Sequence, residues 1–451
     1  VSSGDIRPTG AGTYHECEIS CAFASLRLCV EGIFRTGQTG ETIMHTVRRL
    51  AVLIVILLVA ALLPAPAAVR GQEVETGAVI SPDAILSCED GDQPGGARYR
   101  ICMPTLWNGG LVVYAHGYVA PNQPVGLPED QMTLPDGTGV DVLVTSLGYA
   151  FAASGYRSNG LAVTEAISDS IELVDLFTTL KGKPSPVLLA GVSEGGLVSL
   201  LSLERHPQIY DGALAMCGPI GDFRRQVESL GDFRVVFDAF FPGLIPPTAI
   251  DVPPALLDTW ETQTYSTTVK PVVLAAQSAI SVTQLFSVTN AAYDAANEAS
   301  KEATIERLLW YSIYATNDAS QKLGGNPYDN IGVEYQGSLD DGALNAAVAR
   351  FASDDSALAA IDASYQSSGK LTRPLVTMHT SGDPIVPAWH ATLYRDKVIA
   401  EKTEALHEQY LFDRYGHCTF SLFEIVGAFN RLADLVKEAS ITRVYLPVTL
   451  R

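Results

Sequence analysis

Residues 186–205 read PVLLAGVSEGGLVSLLSLER. PVLLAG (186–191) is a short apolar run of the kind that forms a buried strand, and GLVSLLSLER (196–205) reads as a helix. Their junction is Gly191-Val192-Ser193-Glu194-Gly195, a G-x-S-x-G pattern between strand and helix. Such a turn strains the serine backbone and projects its hydroxyl above the sheet. Glycines are needed beside it because side chains there would collide with the adjoining strand and helix. The turn also aims the backbone N–H of Glu194, at the helix N-terminus, toward a developing oxyanion. The plainer reading of Ser193 is a helix N-cap following a strand.

Outward from this junction, strands and helices alternate. GGLVVYAHG (109–117), YAFAASGYRSNG (149–160, ending in a turn-rich loop) and DGALAMCGP (211–219) are read as strands, as are PLVTMHT (374–380) and EQYLF (408–412). VTEAISDSIELVDLFTTL (163–180) spaces Val163, Ile167, Ile171 and Val174 at helical intervals, and a closing helix is expected over 421–439. Apolar strands alternating with helices imply a mostly parallel sheet covered on both faces. The texture changes between Cys217 and Pro374, where about 150 residues read as helix and loop, rich in alanine and aromatics. One crossover needs far less chain. This stretch is therefore expected to be a mainly helical cap inserted at 220–370, between core segments 68–219 and 371–451. Most of its aromatics (Phe233, Phe237, Phe240, Phe241, Trp260, Trp310, Tyr311, Tyr314) are expected to form the cap's own core.

Two further places carry chemistry. His116-Gly117-Tyr118 follows the strand LVVYA, where a small residue lets the backbone approach a substrate carbonyl. The Tyr118 N–H is assigned as the second oxyanion donor, and His116 as a residue shaping the loop. Asp383, in SGDPIVP, and His417, in RYGHC, each follow a strand. A serine hydroxyl needs a base to accept its proton, and that base needs a carboxylate to orient it. The order Ser193, Asp383, His417 fits, and both partners fall at strand C-termini, where open α/β sheets place their sites. His206, His379, His390 and His407 are less well placed, and Asp413 is the fallback acid.

The chain has 451 residues, 47% hydrophobic, which is ample for a large core and excludes a disordered or collagen-like chain. Its 30 basic against 50 acidic residues leave a formal charge of −20, which repels phosphate backbones and argues against a nucleic-acid partner. Residues 44–67 place Arg48 and Arg49 before a 14-residue apolar run, Leu50 to Leu63, followed by Ala65 and Ala67 in an A-x-A arrangement. That is the layout of a secretory signal peptide, and the run is short of the roughly 20 residues of a spanning helix. The alternative is an uncleaved anchor extending to Val69, which Pro64 and Pro66 would interrupt. Translation is expected to start at Met44, with 1–43 an over-called leader. The expected product is secreted, extracellular or periplasmic, with no stable membrane anchor after cleavage.

Of seven cysteines, Cys17, Cys21 and Cys29 fall in the leader, leaving Cys88, Cys102, Cys217 and Cys418. Four cysteines allow three pairings, and buried free thiols are the alternative. Local separation favours Cys88 with Cys102, leaving Cys217 with Cys418, and an oxidising compartment favours bridges over thiols. No metal-ligand spacing is present.

With AHGY (115–118), GVSEGG (191–196), SGDPIVP (381–387) and YGHC (415–418), the chain resembles the α/β-hydrolase superfamily of serine hydrolases over roughly 95–220 and 370–440. Within it, the chain looks like secreted carboxylesterases and, less closely, prolyl-oligopeptidase-type enzymes. The resemblance implies a mostly parallel eight-stranded sheet with helices on both faces and the triad on loops. Tannase and feruloyl-esterase-like enzymes join cysteines that flank the serine and the histidine. Here Cys418 follows His417, but Val192 precedes Ser193, so Cys217 is expected to take the partner's place and pin the histidine loop. The implied activity is ester hydrolysis through an acyl-enzyme on Ser193, with no cofactor, on a small-molecule or polymeric ester. Its alternatives are peptidase or amidase action and a non-catalytic binding role on the same fold. The aromatic cap suggests apolar or aromatic substrates.

Overall fold

The computed structural model describes residues 86–134 and 136–445. The leader, the signal segment and Cys17, Cys21 and Cys29 lie outside the described residues. Eight strands form one sheet: β1 (Leu86–Asp92), β2 (Arg98–Pro104), β3 (Leu111–Ala115), β4 (Ala150–Ser154), β5 (Val187–Val192), β6 (Gly212–Met216), β7 (Leu375–Gly382) and β8 (His407–Tyr415). Their spatial order is β1-β2-β4-β3-β5-β6-β7-β8. β2 runs antiparallel to β1 and β4, while β4, β3, β5, β6, β7 and β8 pair in parallel. The expected mostly parallel, eight-stranded sheet is present.

Alternation along the strands gives the sheet two apolar faces. On β3, Leu111, Val113 and Ala115 point to one side, against helices α2 (Val163–Lys181) and α3 (Glu194–Arg205). Val112 and Tyr114 point to the other, against helix α1 (Val140–Ser146) and the closing helix, Leu422–Tyr445. Each parallel connection needs a crossover, and helices on both faces bury a sheet whose central strands are apolar throughout.

Between β6 and β7 the described residues contain helices and loops and no strand. In order these are α4 (Phe223–Phe240), α5 (Pro254–Thr259), a π-helical stretch (Trp260–Val269), α6 (Lys270–Val273), α7 (Ala279–Thr289), α8 (Ser300–Leu323), α9 (Asp341–Ala347) and α10 (Asp355–Ser364). They share a second apolar core in which Phe233, Phe237, Phe241, Trp260 and Tyr314 are buried, and Ile385 and Val386 join it from beyond β7. Helix α11 (Trp389–Ala400) then leads to β8, and α12 (Leu422–Tyr445) closes the described chain. Among the described residues no single helix is long and apolar enough to cross a membrane. One bent pair, Pro254–Val273 with Ala276–Thr289, passes by length and composition.

Both expected disulfide pairings are present. Cys88 and Cys102 face each other across β1 and β2, and Cys217 bonds Cys418 with their Cα atoms 5.5 Å apart.

Candidate active site

At the end of β5 the chain turns directly into α3, two residues earlier than the sequence suggested. Ser193 sits in the turn at φ 57° and ψ −122°, a backbone region costly to a residue with a Cβ. Its N–H donates to the Met216 carbonyl at 2.9 Å, so β6 holds the turn from the side. The flanking glycines are sterically required. A Cβ on Gly191 would stand 2.0 Å from the Gly195 carbonyl oxygen, and one on Gly195 would stand 2.0 Å from that of Ala115. Backbone atoms cannot step aside as a side-chain tip can.

Ser193, Asp383 and His417 converge at the C-terminal edge of the sheet. His417 Nε2 is 2.8 Å from Ser193 Oγ, and its Nδ1 is 2.7 Å from Asp383 Oδ2. Asp383 is buried. Its Oδ1 accepts the N–H groups of Ile385 and Val386, each at 2.9 Å, which fixes the carboxylate and leaves Oδ2 for the imidazole. Asp413, the fallback acid, is exposed and accepts the Ser381 hydroxyl at 2.8 Å instead.

This elbow at the edge of a mostly parallel eight-stranded sheet decides the architecture. The fold is that of the α/β-hydrolases. No protein-family model matches the chain. No curated protein matches it either. Among solved structures, the α/β-hydrolase fold here is similar to that of an acylaminoacyl peptidase of Pyrococcus horikoshii, at 11% identity over 84% of this chain and 44% of that one (TM-score 0.37). It is similar to an esterase of Pyrococcus furiosus, at 12% identity over 83% and 96% (TM-score 0.40), and to dipeptidyl peptidase 4 of Porphyromonas gingivalis, at 11% over 78% and 35% (TM-score 0.38). The chain thus spans less than half the length of either peptidase.

The loop after β3 lies against the elbow. A Cβ on Gly117 would come within 3.2 Å of Ser193 Cβ, and Gln131 Nε2 holds the Tyr118 carbonyl at 3.0 Å. His116 is buried, stacked on Tyr156 with ring centroids 3.9 Å apart, and its Nδ1–H donates to the Gly117 carbonyl at 2.7 Å. Burial lowers its pKa to about 4, so the ring is neutral and shapes the loop.

Glu194 turns its side chain inward, where the loop before α2 meets it. Oε1 accepts the Ala162 N–H at 3.0 Å, and burial raises the carboxyl pKa to about 8, outweighing that bond and the nearby Lys322 charge. The same loop is held from α8, where Asp318 accepts the Leu161 N–H at 2.7 Å and Lys322 donates to the Asn159 carbonyl.

Three other histidines among the described residues have partners of their own. His379 Nε2–H donates to the Val386 carbonyl at 2.7 Å and stands 3.7 Å from Asp383 Oδ2, with burial depressing its pKa. His390 Nδ1 accepts the Gly221 and Asp222 N–H groups, and its Nε2–H donates to Gln226. His407 Nε2 meets Thr377 Oγ1 at 2.9 Å.

Tyr311 is the site residue the sequence did not single out. It lies on α8, yet it lines the same cavity as Ser193 and His417, and burial pushes its pKa up. Its ring packs on Tyr118 at 5.6 Å, with Trp310 edge-on to the same tyrosine at 5.9 Å. Nothing in the local pattern separates Tyr311 from the other aromatics between β6 and β7. Two groups of close donor atoms, Cys217–His417–Cys418 and Cys88–Cys102–Asp141, each include both sulfurs of a disulfide, which are spent as metal ligands.

Proposed function

We propose that the protein is a serine hydrolase that cleaves carboxylic esters through an acyl-enzyme on Ser193. The observation that carries this reading is the unbroken relay of Ser193 Oγ, His417 and Asp383 at 2.8 and 2.7 Å. His417 Nε2 takes the hydroxyl proton as Ser193 attacks the ester carbonyl, and Asp383 holds the imidazole in the tautomer that leaves Nε2 free to accept. The carbonyl oxygen gains charge against the N–H groups of Glu194 and Tyr118. His417 returns the proton to the leaving alcohol, and water repeats the cycle on the acyl-enzyme. The chemistry uses groups of this chain alone and assigns no cofactor. The substrate is a small-molecule or polymeric ester.

The same reading places the protein outside the cytoplasm. The Cys88–Cys102 and Cys217–Cys418 bridges suit an oxidising compartment, as does the signal-like segment at 44–67.

The test uses a fluorophosphonate probe and two chromogenic substrates on wild type and Ser193→Ala. Labelling of wild type alone, with a short-chain p-nitrophenyl ester cleaved far faster than an aminoacyl or prolyl anilide, is the expected result. Loss of Ser193 should lower kcat by on the order of 10⁶-fold. Equal labelling of both proteins defeats the serine-hydrolase reading, and preference for the anilide replaces esterase by peptidase.

A further inference from the structure

A cavity of about 330 Å³, partly open to solvent, is lined by Ser193, His417 and Tyr311 at one end and follows the sheet face down to Val112. One wall is the sheet face that carries Val112, Tyr114, Ala190, Val192, Leu214 and Met216, alternate residues of three adjacent strands. Strand register sets its depth. Val192 pairs with Met216 at the catalytic edge, Ala190 pairs with Tyr114 and Leu214 one level down, and Val112 lies a level below that. At about 3.3 Å per residue, this descent is roughly 13 Å.

The opposite wall is helical. Val140, Leu143, Val144 and Leu147 form one apolar stripe on and just after α1, and Ile425 and Phe429 face them from α12. Phe429 is held edge-on against Tyr149, which precedes β4 at the foot of the sheet. Two of the polar groups along the walls are already used, while the buried Tyr118 hydroxyl near the mouth has no hydrogen-bond partner. The Tyr114 hydroxyl donates to the Gln131 carbonyl at 2.7 Å, and Thr133 donates to the Glu129 carbonyl at 3.2 Å. Apart from His417 at the mouth, no ionisable side chain of Asp, Glu, Lys or Arg lines the space.

An apolar hollow of this size costs stability in proportion to its volume, so its place against a nucleophile calls for an occupant. Benzene fills a cavity of roughly 150 Å³, so this one holds roughly a dozen carbons. Its depth favours a chain over a ring system. The alcohol half of an ester must leave before water enters, whereas the acyl half stays bonded to Ser193. The inward cavity therefore suits the acyl half. Resting on the esterase reading above, we propose that the cavity is the acyl site and that the protein prefers esters of unbranched, medium-chain fatty acids of about eight to twelve carbons.

The test is a p-nitrophenyl ester series from acetyl to hexadecanoyl, run on wild type, Val144→Phe and Phe429→Ala, with binding of decanoate to Ser193→Ala measured by calorimetry. In wild type, kcat/KM should rise to an optimum near the octanoyl to dodecanoyl esters and fall at hexadecanoyl. Val144→Phe, which adds bulk half-way down, should cut the decanoyl-to-butanoyl ratio of kcat/KM about tenfold or more. Phe429→Ala should move the optimum to longer chains, and it keeps the test open should the phenylalanine variant not fold. Decanoate should bind Ser193→Ala and not the Ser193→Ala, Val144→Phe double variant. Hydrolysis with no dependence on chain length, or a ratio unmoved by both wall variants, overturns the acyl-site assignment and leaves esterase activity standing. Decanoate binding that Val144→Phe abolishes, in a protein that cleaves no ester, upholds the alkyl site and overturns the esterase reading instead.

Discussion

Cys418, the residue after His417, is bonded to Cys217 at the end of β6, and both cysteines lie in left-handed backbone space at φ 56° and 46°. Ser193, in the turn beside them, does so at φ 57°. Three residues with side chains thus hold conformations that each cost on the order of 1–3 kcal/mol, all around one imidazole. Cys217 is further fixed by its N–H to the Met378 carbonyl at 2.8 Å, so the bridge ties the His417 loop to the sheet.

Removing that bridge should therefore damage turnover as well as stability. It spans 201 residues, and the chain-entropy model gives a loop of this length about 5 kcal/mol, an upper figure in practice. The Cys217→Ser, Cys418→Ser variant should lose about 2–5 kcal/mol and, well below its melting point, about 10- to 100-fold in kcat as the imidazole loosens. Cys88→Ser with Cys102→Ser opens a separation of 14 residues on the far edge of the sheet and should cost stability with kcat unchanged. Urea unfolding and steady-state kinetics on both variants check this. Equal kcat in the two would reduce the Cys217–Cys418 bridge to a structural staple.

Asp383→Asn tests the orienting carboxylate. Oδ1 is held by two backbone N–H groups, so the substituted side chain has every reason to keep its place. An amide nitrogen facing His417 Nδ1 favours the wrong tautomer, and kcat should fall by about 10⁴-fold with little change in KM. Burst and steady-state kinetics separate the two parameters. A loss below about tenfold would mean that another group orients His417, and His379, 3.7 Å from the same carboxylate, would be examined next.

Tyr311→Phe keeps the ring against Tyr118 and Trp310 and removes only the hydroxyl, on a residue that lines the cavity beside Ser193. A donor beside the reacting oxygen is worth most in the transition state, so kcat should drop about 10- to 100-fold while thermal stability holds. An unchanged kcat would leave Tyr311 as a wall of the pocket and nothing more.

Which of these residues the sequence discloses follows from how local their constraints are. The elbow is legible because its glycines are dictated by contacts within a single turn, and the apolar runs on either side announce strand and helix. Asp383 and His417 are legible because each ends a strand that its own composition marks. β1 is not, since LSCEDGD is rich in residues that strands avoid, and its pairing with β2 and the Cys88–Cys102 bridge hold it in place. α1 is short and rich in β-branched residues, so its stripe toward the sheet emerges only when β3 and β5 are in position. Tyr311 depends on the path of the whole segment between β6 and β7. Its place beside Ser193 in one cavity is a tertiary fact with no local signature.

Glu194 supplies a prediction in pH. Burial raises its carboxyl pKa from the ordinary 4.5 to about 8, so the folded protein keeps a proton that the unfolded chain gives up. Its contribution to stability is accordingly full below about pH 4.5 and is lost as pH rises through about 8. Glu194→Gln retains the backbone N–H and cannot ionise, so relative to wild type its melting temperature should gain steadily across that window. The charge matters to the chemistry as well. A carboxylate appearing next to the serine opposes the negative charge that develops on the substrate oxygen, so wild-type kcat should decline above about pH 8 while the glutamine variant keeps its plateau. Parallel melting and rate profiles from pH 4 to 10 would decide it, and coincident profiles for the two proteins would show that the carboxyl is already ionised in the fold.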